Sequence, residues 1–425
     1  MEKYQDIQVE ETRGFYRIVD ACRLCKSADL REYLDLGLTP PADQFRKKEE
    51  LSFPEISYPL RVLLCNECGL SQLSHVVDPR ILYQFDYPYE SSTTKTGKMH
   101  WDDFAAKVVK RLNLKKGSVV VDVGSNVGTL LSSFRELGMK VHGVDPAPNI
   151  AQMANESGID TLCDFFGESS VAPILQKTGK VDVIVGTNVF AHIDDLHEVL
   201  RAIGQLLNEN GVFIFESPYF KHLIDNLEYD TIYHEHLSYL SIKPLAPFFA
   251  SFGMEIFAVE ESEIHGGSMR VHIGRIGAHA IDPNVAALIQ SEEEEHLHSL
   301  ELMEEFAKRV AKNRTDLNRL IQGLIAEGKS IAVVSAPAKG MTLLNYCGIT
   351  SRQIAFATEK SRLKIGRYTP GGHIPILSDD ALLREMPDYA LLLAWNFSKE
   401  IMANLKEYSD AGGKFIIPIP EPKIV

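Results

Sequence analysis

The sequence predicts a doubly wound α/β protein with a small cysteine-rich module ahead of two α/β domains. Three observations carry this reading. Two Cys-x-x-Cys pairs, Cys22-Arg-Leu-Cys25 and Cys65-Asn-Glu-Cys68, precede any regular alternation. From about 97 to 275, short apolar runs alternate with helix-like stretches. The alternation resumes after a charge-rich stretch, about 283 to 327, that reads as a helical connector. The implied divisions are 15–78, 79–282 and 283–425.

Four thiolates at the cysteine spacing can close a tetrahedral zinc site at Cys22, Cys25, Cys65 and Cys68. The gap between the pairs is longer than a simple ribbon needs, so a strand-rich insert is expected there. Four thiolates leave no open coordination position, so a zinc held there would be structural; a redox pair or a chance pattern is the alternative. In the middle block, Trp101, Phe104, Ala105, Val108, Val109 and Leu112 share one helical face. Val119 to Val123, Val141 to Val144, Val181 to Val185 and Val212 to Phe215 read as buried parallel strands. In the last block the strands are Ser330 to Ser335, Gln353 to Ala357, Tyr389 to Ala394 and Lys414 to Ile417.

The net charge of −14 argues against a nucleic-acid partner, because phosphate contacts need clustered Lys and Arg. The acidic run Glu292 to Glu295 reads as a solvated helix face. No apolar run approaches the roughly 18 residues a membrane span needs, and the polar start Met1-Glu-Lys-Tyr-Gln has no leader pattern. A cytoplasmic location follows, with thiols or metal ligands rather than disulfides. The acidic composition and the lack of an obvious exposed apolar helix point to a monomer.

The first middle strand runs into Asp122-Val-Gly-Ser-Asn-Val-Gly128. Gly124 and Gly128 permit a tight turn and a close backbone approach to a ligand at a helix N-terminus. Asn126 lies within this loop. Such a turn alone fits a dinucleotide, or nothing. The second strand ends at Asp145, placed for the two hydroxyls of a ribose. Asp164 offers a carboxylate to an adenine amino group, and Phe165 a ring to stack on it. The fourth strand ends in Gly186-Thr-Asn188-Val-Phe-Ala-His192. This order resembles class I S-adenosylmethionine-dependent methyltransferases, and S-adenosyl-L-methionine is the implied cofactor. A nicotinamide dinucleotide is the competitor.

Beyond the fifth strand stands Tyr233-His-Glu-His236, a phenol, a carboxylate and two imidazoles in four residues. The bland alternative is a polar surface turn or a satisfied histidine pair in the core. Position favours chemistry, because the segment follows a strand at the edge where α/β folds bind ligands, and His192 ends another strand there.

Taken together, the chain resembles the sugar C-methyltransferases of deoxysugar biosynthesis, over nearly its whole length. The strings that carry this are Tyr87-Pro-Tyr89-Glu-Ser91-Ser92, Tyr233-His-Glu-His236, His265-Gly-Gly-Ser-Met-Arg270, Ala336-Pro-Ala-Lys339-Gly340, Asn345-Tyr-Cys-Gly348, Tyr368-Thr-Pro-Gly371 and His373-Ile-Pro375. The resemblance implies a class I methyltransferase Rossmann-like core flanked by the zinc module and a second Rossmann-like domain. It implies a nucleotide-linked 4-keto-deoxyhexose as substrate, with dTDP as carrier and C3 as the methylated carbon. C5 methylation and sugar O-methylation are the alternatives, and a non-enzymatic assembly protein is a more distant one.

On this resemblance His236 is the base and Glu235 holds a sugar hydroxyl or orients the imidazole. His192 donates to the ketone or enolate oxygen, with the roles of the two histidines exchanged as the alternative, and Tyr233 positions the sugar. Tyr87, Tyr89 and Ser91 cover the methyl donor, and Asn188 lines its pocket. Lys339, His265, Arg270 and Tyr368 are the substrate-binding candidates, with a solvated Lys339 and an Arg270 that pairs with a carboxylate as the alternatives. Two departures stand out. Val334-Ser335-Ala336 lacks an expected glycine at or near Ser335, and Ala357-Thr-Glu359-Lys360 replaces a more usual Asp/Asn-rich turn.

Overall fold

The computed structural model describes residues 15–84, 87–88, 95–262 and 267–425. Tyr89, Ser91 and His265 lie outside the described residues. The cysteine-rich module holds β1 (Tyr16–Ile18), β2 (Leu30–Thr39), β3 (Tyr58–Cys65), β4 (Ser71–Leu73) and β5 (His75–Val77). The insert between the cysteine pairs is therefore strand-rich, and β2 and β3 pair antiparallel within it. Along β3, Tyr58, Leu60, Val62 and Leu64 are all buried, the period-two pattern of a strand with one face in a core.

The middle domain carries β6 (Val119–Val123), β7 (Lys140–Val144), β8 (Thr161–Leu162), β9 (Val181–Thr187), β10 (Leu207–Pro218), β11 (Ser238–Tyr239), β12 (Met254–Ser262) and β13 (Ser268–Arg275). Seven of these form a sheet in the order β12-β13-β10-β9-β6-β7-β8. Strands β6 to β10 pair in parallel, and β13 runs antiparallel to both neighbours. The helix Leu196–Leu206 covers the sheet because Leu196, Val199, Leu200, Ile203 and Leu206 recur at helical spacing and are buried. The Asp195 side chain starts it by accepting from the Glu198 N–H at 3.0 Å. The eighth strand, β11, leaves this sheet and pairs with β4 of the cysteine module.

The last domain holds β14 (Ile331–Val334), β15 (Ala357–Glu359), β16 (Ile376–Ser378), β17 (Tyr389–Leu392), β18 (Lys414–Ile417) and β19 (Lys423–Ile424). The order is β16-β15-β14-β17-β18-β19, parallel except for the last pair. The strand expected at Gln353 to Ala357 starts at its end instead. Gln353 accepts from the Thr350 N–H at 3.0 Å and the Thr350 hydroxyl at 2.9 Å, which holds a turn where the strand was expected.

The connector is two helices, Asn284–Glu294 and Leu300–Ala326. The second buries Met303, Phe306, Val310, Leu317, Ile321 and Leu324 in one apolar cluster with Leu34 and Leu36 of β2 and Ile331 and Val333 of β14. It is a core element that ties the first and last domains together. The acidic run is not wholly solvated either. Glu292 is fully buried, and its carboxylate accepts the Ile242 and Lys243 N–H groups at 2.7 and 2.8 Å and the Tyr219 hydroxyl at 2.8 Å. Those two N–H groups begin the helix Ile242–Ala250, so the carboxylate satisfies donors the helix cannot.

Candidate active site

The strand ends of the two parallel sheets line one cavity of about 1770 Å³. One end is built by the middle domain. Gly124 and Gly128 take φ of 67° and 80°, and a Cβ on either would come within 2.8 Å of Val189 or Ile159. The turn they allow brings the Asn126 N–H to Asp145 Oδ2 at 2.9 Å, while the Ala147 N–H reaches Oδ1 at 2.9 Å. Each oxygen keeps a lone pair, the arrangement that can accept a ribose diol. Burial raises the Asp145 carboxyl, and the two N–H groups oppose the rise. Asp122 is buried with Oδ1 unpartnered among the described residues, and burial pushes its carboxyl well up, with the Asp145 charge adding. Asn188, at φ 55°, and Phe165 also line the cavity. Asp164 does not: it is exposed, and its carboxylate accepts the Phe165 N–H at 2.8 Å.

The Tyr233–His236 segment is pinned from three sides. β11 anchors its far end to the cysteine module, and the Leu237 N–H donates to the Ala191 carbonyl beside His192 at 2.8 Å. The Thr342 hydroxyl donates to the Ile232 carbonyl at 2.9 Å from the last domain. The result brings His192 and His236 together, with ring centroids 4.8 Å apart, and Tyr233 against His236 at 4.0 Å. His236 Nδ1 lies 2.7 Å from the Thr231 carbonyl. A carbonyl only accepts, so Nδ1 carries the proton and the basic lone pair is on Nε2. His192 Nδ1 is 3.3 Å from the Tyr83 hydroxyl, and its Nε2 is buried without a hydrogen-bond partner among the described residues. Burial, then the neighbouring His236, hold His192 well below the usual imidazole range, so it is neutral.

Glu235 is buried and accepts from the Tyr87 hydroxyl at 3.3 Å. Burial pushes its carboxyl well up, Asp43 adds, and the Tyr87 bond opposes. The Tyr87 carbonyl accepts from Asn149 at 3.0 Å, just beyond Asp145, so Tyr87 joins the two parts of the cavity. Tyr83 was missed by the sequence reading. The signal was there, since it stands four residues before Tyr87 in a tyrosine-rich stretch.

The last domain closes the other end. Lys339, at the start of the helix Ala338–Cys347, lines the cavity. Its ammonium bonds Asn396, lies 4.8 Å over the Trp395 ring and is 4.0 Å from buried Asp230. Burial lowers its basicity, and Asp230 and Glu228 oppose this. Ser335 holds φ 63°, the left-handed conformation that explains why a glycine is expected there.

Two of the substrate-binding candidates do not line this cavity. Arg270 is buried away from the cavity, 2.7 Å from Glu216 and 3.7 Å over the Phe104 ring, because a buried carboxylate needs a fixed cation. Tyr368 does not line the cavity. Its backbone exchanges hydrogen bonds with Arg46 at 2.8 and 2.9 Å, stitching the cysteine module to the last domain.

The four cysteine sulfurs lie within 4.8 Å of one another, with Cys22–Cys68 and Cys25–Cys65 each at 3.5 Å. Tetrahedral zinc with bonds of about 2.3 Å needs sulfurs about 3.8 Å apart, so the cluster fits the ion. Cys22 and Cys65 are fully buried in the cluster that also holds the middle domain's core, which suits a structural role.

A seven-stranded sheet of this order, with one antiparallel strand and a glycine turn facing an acidic strand end, defines a class I S-adenosylmethionine-dependent methyltransferase. Family models agree along the chain. A zinc binding domain matches residues 22–83, a methyltransferase domain 99–259, and a C-methyltransferase C-terminal domain 263–420. The chain is 37% identical to the C-methyltransferase NovU of Streptomyces niveus over 410 residues, 96% of this chain and 97% of that protein. It therefore belongs to the C-methyltransferase family with this three-part architecture. A ubiquinone biosynthesis O-methyltransferase of Azorhizobium caulinodans is 29% identical over 103 residues, 23% of this chain and 40% of that one. The magnesium protoporphyrin IX methyltransferase of Synechocystis aligns with a TM-score of 0.32 and 15% identity, covering 42% of this chain and 79% of that chain. No helix among the described residues is long and apolar enough to cross a membrane.

Proposed function

We propose that the protein methylates the carbon beside the ketone of a nucleotide-linked 4-keto-deoxyhexose, at C3, with dTDP as the carrier. The observation that carries this reading is the His192–His236 pair, 4.8 Å apart in the cavity that also holds Asp145 and Lys339. A carbon bound to hydrogen is no nucleophile until it loses a proton, so the site needs a base and an oxyanion partner. S-adenosylmethionine supplies an electrophilic methyl group on a sulfonium. Asp122, Gly124, Asn126, Gly128, Asp145, Phe165 and Asn188 would hold it.

His236 Nε2 takes the proton from the carbon, and the Thr231 carbonyl keeps that ring in the basic tautomer. His192, neutral and with its proton on Nε2 when Tyr83 donates to Nδ1, gives a hydrogen bond to the enolate oxygen. Tyr233 and Glu235 position the sugar, and Lys339 receives the diphosphate. The protein works as a cytoplasmic monomer on a small molecule, with neither nucleic acid nor membrane as partner. Cys22, Cys25, Cys65 and Cys68 would hold zinc, which fixes the module and takes no step in the reaction.

The test is a mass spectrum of dTDP-4-keto-6-deoxyglucose after incubation with protein and S-adenosylmethionine in deuterated water. The expected result is one added methyl group placed by fragmentation on the carbon beside the ketone. Methylation on oxygen would replace this reading by O-transfer. No methylation and no exchange, with the methyl donor still bound, would refute the substrate class.

A further inference from the structure

One charged pair on the cavity wall has no part in that chemistry. Asp43 comes from the cysteine module and Lys364 from the last domain, and both line the cavity. Their side chains are only 6% and 7% exposed, and Asp43 Oδ1 lies 3.6 Å from Lys364 Nζ. That is too long for an N–H···O hydrogen bond. Lys364 donates to the Ala336 carbonyl at 3.0 Å and sits 4.6 Å over the Phe45 ring. Asp43 Oδ1 has no hydrogen-bond partner among the described residues. A buried ion pair is favourable only when its remaining lone pairs and protons are matched, so this one has a place for one more polar atom, which a ligand can fill.

Its place in the cavity identifies the atom. Burial raises the Glu235 carboxyl in the histidine segment and the charge of Asp43 adds to that rise, while Lys364 is tied through Ala336, whose carbonyl it bonds and whose N–H donates to Glu359. Glu359, at the end of β15, accepts the Ala336, Lys360 and Ser361 N–H groups at 3.1, 2.7 and 3.2 Å. On the nucleotide-sugar reading, the pair thus stands between the histidine segment and the end of the cavity that takes the carrier. An oxygen set between Asp43 and Lys364 must donate to one and accept from the other. A hydroxyl does both. A ketone cannot donate, and a phosphate oxygen would be repelled by Asp43.

We propose that Asp43 and Lys364 read a hydroxyl on the hexose carbon between the reacting centre and the anomeric carbon, C2 when C3 is methylated. The zinc module then supplies a substrate-selecting group and is more than a folded cap. This rests on the nucleotide-sugar reading above, and the experiment separates the two.

The probes are dTDP-4-keto-6-deoxyglucose, which carries the C2 hydroxyl, and its 2-deoxy counterpart, offered to full-length zinc-loaded protein. Wild type should favour the hydroxylated sugar by about tenfold or more in kcat/KM, expressed in KM. In Asp43→Asn the preference should fall to within about twofold, with zinc content and S-adenosylmethionine affinity unchanged. Lys364→Gln should give the same collapse, and it carries the test if Asp43→Asn loses its zinc. Equal use of both sugars by wild type, or a preference that survives both substitutions, overturns the proposal. If neither nucleotide binds in calorimetry, the nucleotide-sugar reading falls, and this inference with it.

Discussion

His192 and His236 meet with ring centroids 4.8 Å apart and with different oxygens at Nδ1, a hydroxyl for one and a carbonyl for the other. The Thr231 carbonyl fixes the proton of His236 on Nδ1, while the Tyr83 hydroxyl faces Nδ1 of His192. On the proposed chemistry one ring takes a proton and the other, with Tyr83 donating to its Nδ1, gives a hydrogen bond. His236→Asn should therefore lower turnover by about 10²–10⁴-fold, the usual contribution of a general base. Affinity for S-adenosylmethionine should hold, because Asp145 and its backbone partners are untouched. Steady-state rates and calorimetry check both, and wild-type turnover in the variant would remove His236 from the chemistry.

Much of this arrangement was legible because the relevant signals are local. The cysteine spacing, the parallel strands and the Asp122–Asp145 sequence each follow from chain geometry over a few residues. Both His192 and His236 could be assigned to the ligand-binding edge, since each follows a strand there. What was not legible depends on distant packing. Nothing in the sequence near Ser238 says that β11 joins the cysteine module, yet that pairing aims the histidine segment. Glu292 looks like its acidic neighbours and is buried only because the helix Ile242–Ala250 brings its start there. Asp43 and Lys364 carry no motif at all and meet only through contact between two domains.

Arg270 shows the same limit, since its string fits either a ligand contact or a carboxylate partner, and only its packing against Glu216 gives it the second task. Glu216 is 1% exposed and held by Arg270 at 2.7 Å and His100 at 2.9 Å. Removing the arginine leaves that buried carboxylate poorly compensated. Arg270→Met should cost about 3 kcal/mol in denaturant unfolding, with the KM for sugar unchanged. A large rise in KM without loss of stability would restore a direct substrate role.

The zinc cluster makes a separable prediction. Cys65 is fully buried and packs into the core shared with the middle domain. Cys65→Ser should lower the zinc content and the stability together, on the order of 2 kcal/mol or roughly 5 °C in Tm. Elemental analysis and thermal unfolding read the two quantities. A variant that keeps both zinc and Tm would show that the four cysteines do not act as one site.

The last prediction concerns pH. Glu228 is 2% exposed, and burial pushes its carboxyl up to about 7, with the charge of Asp230 adding. The Asn226 amide at 3.1 Å and the Lys339 ammonium oppose the rise. Unfolded, the group returns to its ordinary 4.5, so between these values the folded state holds a proton that the unfolded state has released. Its contribution to stability is complete below pH 4.5 and is lost as the pH rises through 7. At about 1.4 kcal/mol per pH unit, the loss is on the order of 3 kcal/mol. Glu228→Gln keeps a neutral group of the same shape and should remove this slope. Its Tm should match wild type near pH 4.5 and exceed it at pH 8. Parallel Tm–pH curves for the two proteins would show that Glu228 ionises as an ordinary carboxylate.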